Sequence, residues 1–185
     1  MKIPSLLLPA VVALAPLSAG AAQLLVEFDG GIGAIPVSAV SVTGTTTTVT
    51  GNIVRGVQPP AQIWTIADFK AEVMVDGRIK ANGQGLVFAG GDTIGTAIAP
   101  GGAALKVFAT LICENAAPFT ERNTGPVPLA ENGDFKIDDV LKPPPPPDAC
   151  ATPVLLIRNA GNRNWFAAGI QKFDDDHDQR RQGHR

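Results

Sequence analysis

Apolar and polar residues alternate along this chain in short runs, and no stretch holds the 3.6-residue apolar period of a long helix. Gly, Pro, Asn and Asp separate the runs, which is the punctuation of an all-β domain. Gln23 to Phe28 reads as a first strand, and the glycine-rich Asp29 to Gly33 as the turn or loop after it. Val42 to Thr50 contains the threonine run Thr45 to Thr48 and reads as an exposed edge strand or loop. Phe69, Ala71 and Val73 alternate with Lys70, Glu72 and Met74; Ile79 and Ala81 alternate with Lys80 and Asn82. A three-residue loop Val75-Asp76-Gly77, with Gly77 left-handed, sets Val73 opposite Ile79 and Ala71 opposite Ala81 on the core side. Glu72 then faces Lys80 outside. A loop one residue shorter mixes the two faces and is rejected.

Further along, Leu105 to Glu114 is apolar on both faces, as a central strand would be. Asn132-Gly133-Asp134 turns into a short strand from Phe135 to Ile137. The continuous run Val154 to Ile157 is a buried strand, Asn159 to Asn164 a turn, and Trp165 to Ile170 the last strand. Between them, Pro143 to Pro147 must form a stiff, extended connector, because proline has a fixed φ and no amide donor. About eight or nine short strands at this spacing point to a two-sheet antiparallel β-sandwich of immunoglobulin-like type. A closed β-barrel is the alternative.

The first 21 residues stand apart. Lys2, an apolar core from Leu6 to Ala15, and small residues around Ala19-Gly20-Ala21 give the order of a cleavable secretory signal peptide. Pro4, Pro9 and Pro16, and a core shorter than the roughly 20 residues a spanning helix needs, argue against a membrane anchor. Cleavage after Ala21 removes 21 of 185 residues and leaves 164, a length suited to one domain over 22–171. Residues 172–185 are polar, carry charges of both signs, and read as a disordered, solvated tail.

Export makes a disulfide between the two cysteines, Cys113 and Cys150, the expected pairing, since secreted domains fold in oxidising compartments. The net charge is −2, becoming −3 once Lys2 is lost, and no basic patch marks a nucleic-acid partner. Both histidines, His177 and His184, lie in the tail, so the domain has neither the base of a catalytic triad nor a histidine-ligated zinc site. Ser38 and Ser41 are the only serines after the leader. Asp134, Asp138 and Asp139 are the carboxylates that a glycoside hydrolase or a calcium site would draw on; acidic residues beside a turn are also ordinary solvated loop. Asp174, Asp176 and Asp178 mimic the start of a calcium loop, but Gln179 and Arg185 stand where its glycine and glutamate belong. Trp64 and Trp165 read as packing residues rather than sugar-stacking platforms.

The stretches Asn52 to Pro60, Val107 to Cys113, Pro153 to Arg158 and Trp165 to Ile170 resemble those of small exported bacterial proteins of unassigned function. The resemblance spans Asn52 to Ile170 and implies bacterial export of a single domain. It carries over no catalytic or binding residue. The expectation is therefore a secreted or periplasmic, non-catalytic binding or structural module without a cofactor, acting on a partner in the envelope or outside the cell. A carboxylate-dependent glycan hydrolase or lyase is the alternative.

Overall fold

The computed structural model describes residues 23–99, 102–146 and 150–173. The leader, Pro147, and the tail residues Asp174, Asp176, His177, Asp178 and His184 lie outside the described residues. Within them the protein is all-β. The strands are β1 (Leu24–Gly33), β2 (Val37–Thr43), β3 (Thr46–Gly51) and β4 (Trp64–Thr65). Then come β5 (Asp68–Met74), β6 (Arg78–Gln84), β7 (Val87–Phe88) and β8 (Lys106–Ile112). The rest are β9 (Arg122–Asn123), β10 (Val127–Pro128), β11 (Phe135–Val140), β12 (Val154–Asn159) and β13 (Trp165–Gln171). The strands exceed the number read from sequence because four of them are only two residues long, too short to leave a period of their own.

One antiparallel sheet runs in the order β10-β8-β12-β13-β1-β5-β6-β11, with β9 also paired to β8. It curls until its ends meet. Asn123 of β9 exchanges backbone hydrogen bonds of 3.0 and 2.9 Å with Lys142, just past β11. The sheet is thus a nearly closed barrel, and the barrel alternative describes its path most closely. Two small sheets lie outside it, β2-β3 and β4-β7.

The central hairpin has the expected register: Val73 faces Ile79, Ala71 faces Ala81 and Glu72 faces Lys80. Gly77 has φ 87°, and its N–H donates to the Met74 carbonyl at 2.9 Å. Phe69, Gly83 and Phe135 line up across β5, β6 and β11. A Cβ on Gly83 would sit 2.1 Å from the Phe135 ring, so the missing side chain is the space that ring fills. On the other side of the core, Leu111 faces Leu155 and Ala109 faces Ile157, all four without exposed surface. Burial of this interior is the main stabilising force.

Asp29 to Gly33 is not the turn read from sequence; β1 continues straight through it. Residues up to Asp29 pair with β5, and Gly31 to Gly33 pair with β13 across an irregularity after Phe28. The glycines serve close approach instead: a Cβ on Gly33 would lie 2.1 Å from the Trp64 carbonyl oxygen. Val42 to Thr50 is not a single edge strand but parts of both arms of the exposed hairpin β2-β3. The proline connector lies over the β5-β6 turn, with a Cβ on Gly77 falling 3.2 Å from Pro145. At the far end the chain stays attached as far as Lys172, whose Nζ lies 2.9 Å from Glu27.

Cys113 and Cys150 form a disulfide, with Cα atoms 4.4 Å apart. No helix among the described residues is long and apolar enough to cross a membrane. Both facts are compatible with an extracellular or periplasmic location.

Candidate functional site

The three carboxylates expected near one another do three separate jobs. Asp134 accepts from the Gly85 N–H at 3.1 Å and from the Asn132 amide at 2.8 Å, which caps its own turn. Asp139 accepts from the Gly125 and Val140 N–H groups at 2.7 and 2.8 Å, and those bonds hold its carboxyl below the usual range. Asp138 is the next residue of the same strand and points to the opposite side. There it lines an open groove of about 480 Å³ with Glu72 and Lys80. Glu72, Lys80 and Asp138 are in register across β5, β6 and β11, so the lysine stands between the two carboxylates. That is a charge-compensated sheet surface. No group of three or more His, Cys, Asp or Glu among the described residues is placed to hold a metal.

Two further charge clusters are each centred on a buried arginine, Arg158 on β12 and Arg122 on β9. Arg158 is 3 % exposed. Its guanidinium pairs with Glu121 at 2.8 Å, donates to the Arg163 carbonyl at 2.7 Å and lies 5.3 Å from the Phe108 ring centre. Burial lowers the Arg158 pKa. Burial would raise that of Glu121, but hydrogen bonds from Arg158 and Arg163 outweigh it and the net direction is down. The second cluster joins Arg122 to Glu114 at 2.9 Å, with the Thr120 N–H also donating to the carboxylate.

The Arg122 hydrogen bond, opposed in part by burial, holds the Glu114 carboxyl at about 2. A group depressed in the folded state stabilises above its unfolded pKa, and that contribution is lost as pH falls through the folded one. We expect on the order of 2–3 kcal/mol of stability to disappear between about pH 5 and pH 2 through Glu114. Urea melts across that window test this: Glu114→Gln should start less stable at pH 7 and flatten the slope. An unchanged slope would show that Glu114 is not the group titrating.

The aromatic cavity beside β13 is the arrangement best suited to holding a molecule. Strand β4 pairs with β7 so that Trp64 faces Phe88, and the Trp64 backbone N–H donates to the carbonyl of Ala34, just past β1, at 2.8 Å. This pins the small sheet against β13. Trp64 stacks on Phe166 with centroids 3.9 Å apart and 14° between planes; Phe88 tilts against it at 4.1 Å. These rings floor a cavity of about 260 Å³, walled by Pro60 and Leu105 and edged by the amides of Gln62, Asn159 and Asn162. The side-chain oxygens of Asn159 and Asn162 accept backbone N–H groups of the turn at 2.6 and 3.1 Å. Their NH₂ groups therefore remain as donors for a ligand. Gln62 Oε1 is the converse: a buried acceptor with no hydrogen-bond partner among the described residues. Such an oxygen carries an unrelieved desolvation penalty at the edge of the cavity.

Trp64 and Trp165 are both packing residues, as expected, each 3 % exposed. The Trp165 indole N–H donates to the Asn52 carbonyl at 3.0 Å. Trp64 has a second role as cavity floor that its sequence neighbours do not reveal. Gln62, Phe88 and the amides of the last turn have no shared motif and come together only through the fold. Arg158 did carry a signal, a charge closing the apolar run Val154 to Ile157. No family model matches the chain, and neither a curated protein nor a solved structure matches it.

Proposed function

We propose that this protein is an exported, non-catalytic binding module whose ligand occupies the Trp64–Phe88–Phe166 cavity. The carrying observation is the cavity's chemistry: an aromatic floor, amide donors at the rim and one buried, unpartnered amide oxygen. It offers shape, apolar surface and hydrogen bonds, the ingredients of recognition. Among the described residues its lining holds no carboxylate, histidine, serine or cysteine. The cavity is smaller than drug-sized sites, so the ligand is of single-ring size and carries an oxygen acceptor for the Asn159 and Asn162 amides. The leader-like N-terminus, the disulfide and the resemblance to exported bacterial proteins support a secreted or periplasmic setting. The carboxylate-enzyme alternative finds less support, because Asp134 and Asp139 are engaged by backbone amides.

A fragment library of monocyclic alcohols, amines and sugars, screened by ligand-observed NMR, tests this. Hits should lose at least tenfold in affinity with Ala61→Trp, which fills the cavity from its exposed wall, and several-fold with Asn162→Asp. Hits indifferent to both substitutions, or no hits from a folded protein, would overturn the assignment.

A further inference from the structure

The β2-β3 hairpin is a two-stranded sheet that pairs with no other strand among the described residues. All its residues are exposed except the half-buried Val37. Val40, Val42 and Val49 are 61, 67 and 58 % exposed. Val40 lies directly opposite Val49, and Val42 opposite Thr47, so the three valines share one face. Ala39, Ser41, Thr48 and Thr50 form the other. No charged residue occurs from Gly30 through Val54. An isolated two-stranded hairpin is at best marginally stable in water, and three or more strands are needed for independent stability. Exposed sheet edges are normally blunted with lysine, proline or a covering element. Neither β2 nor β3 carries a lysine or proline; β2 has one irregularity, where Ser38 falls between the paired Val37 and Ala39, and from Ala39 to Thr43 its outer edge is open among the described residues.

We propose that β2 is a self-association edge, and that its occupant is β2 of a second copy of this chain, paired antiparallel about a two-fold axis through Val40. Charge selects this occupant. The β5-β6-β11 part of the barrel's outer face carries Lys70, Glu72, Lys80, Lys136 and Asp138, and a charge-free valine strip laid on it would desolvate ions without pairing them. The hairpin of another copy offers an edge with no ion to desolvate. Symmetry supplies the register. Val40 meets Val40 of the second copy at the axis, and each Val42 meets a Ser38, whose hydroxyl is already bonded to the Thr50 and Gly51 carbonyls, so valines pack at the centre and a satisfied serine flanks them on each side. The product is a four-stranded sheet, past the size at which sheets hold together. The β2 edge is only about 24 Å long, at the lower end of stable interfaces, so the dimer dissociates in the micromolar range.

Sedimentation velocity of the mature protein from about 1 to 500 µM should show a monomer–dimer equilibrium. The double variant Val40→Lys, Val42→Lys should weaken it at least tenfold, because like charges then meet at the axis. Its melting temperature should be unchanged, since the hairpin buries nothing against the core. Val40→Cys adds the one free thiol, both native cysteines being bridged. Mild oxidation should convert it to a covalent dimer far faster than Asp92→Cys, a control on an exposed loop. A monomer at every concentration, a cross-linking rate no higher than the control, or unlimited growth into polymers would each overturn the two-fold pairing. Flotation of a monomeric protein with phosphatidylcholine vesicles, lost on the lysine substitutions, would assign the valine face to a lipid surface and also overturn it.

Discussion

Replacing Glu121 by alanine is expected to cost about 3 kcal/mol of folding stability, whereas Arg158→Met should cost about 1 kcal/mol or less. The asymmetry follows from what each change leaves behind. Arg158 sits on β12 between β8 and β13, where its neighbours Leu156 and Ile157 have no exposed surface. Its guanidinium is satisfied by Glu121, by the Arg163 carbonyl and by Thr110 Oγ1 at 3.3 Å. Removing the carboxylate leaves the cation buried with neutral partners only. Removing the cation and keeping its volume leaves Glu121 at the surface, still paired with Arg163 at 2.7 Å. Glu121 is itself 36 % exposed, so solvent screens part of the loss, and the figure sits at the low end for a broken buried pair. Arg163→Ala, at the exposed end, should cost less than 1 kcal/mol. Urea unfolding at pH 7 orders the three. If Arg158→Met proved as damaging as Glu121→Ala, the cluster would be holding the fold by its net attraction and this account would be wrong.

The barrel's local parts were legible in the sequence, and its closure was not. The β5-β6 hairpin could be placed to the residue because Asp76-Gly77 allows two loop lengths and only one keeps apolar side chains on one face. The central position of β8 showed in its two apolar faces, and the disulfide followed from an expected oxidising compartment and a chain with two cysteines. Closure depends on Asn123 meeting Lys142, two backbone groups whose pairing has no side-chain signature. The cavity failed to show for a related reason. Two of its three floor rings come from β4 and β7, each two residues long, and a strand that short has no period to read. Asp29 to Gly33 misled because glycine serves two purposes. It permits turns, and it permits backbones to touch; at Gly33 the second applies, with Trp64 pressed against it. The acidic cluster was legible only as composition. Alternation along β11 sends Asp138 and Asp139 to opposite sides, and a strand boundary extended to Val140 would have shown that in advance.

Opening the Cys113–Cys150 bridge, by reduction or by the paired change to alanine, is expected to lower stability by about 3 kcal/mol. The bridge closes a loop with a sequence separation of 37, and that loop contains β9, β10, β11 and the proline connector. These are the segments that complete the barrel. In the folded protein they are held without the bridge, by the β6-β11 ladder and the Asn123–Lys142 exchange. The pairing of Val154 with Ile112 beside the disulfide keeps β8 and β12 in register. The fold should therefore persist when reduced, with unchanged far-UV circular dichroism at room temperature. The loss falls on the unfolded side, where an open chain regains the freedom the loop had removed. Pro143 to Pro147 stiffen that loop, so less freedom is regained than a flexible loop of this length would allow. For a chain of this size 3 kcal/mol corresponds to a fall in Tm of about 6–12 °C. Melts of oxidised protein, reduced protein and the double alanine variant at one pH measure it, and the last two should agree. A fall under 2 °C would mean that the proline segment already restrains the unfolded chain as tightly as the bridge does. A loss of β structure at room temperature would mean that the ladder and the Asn123–Lys142 exchange cannot close the barrel alone.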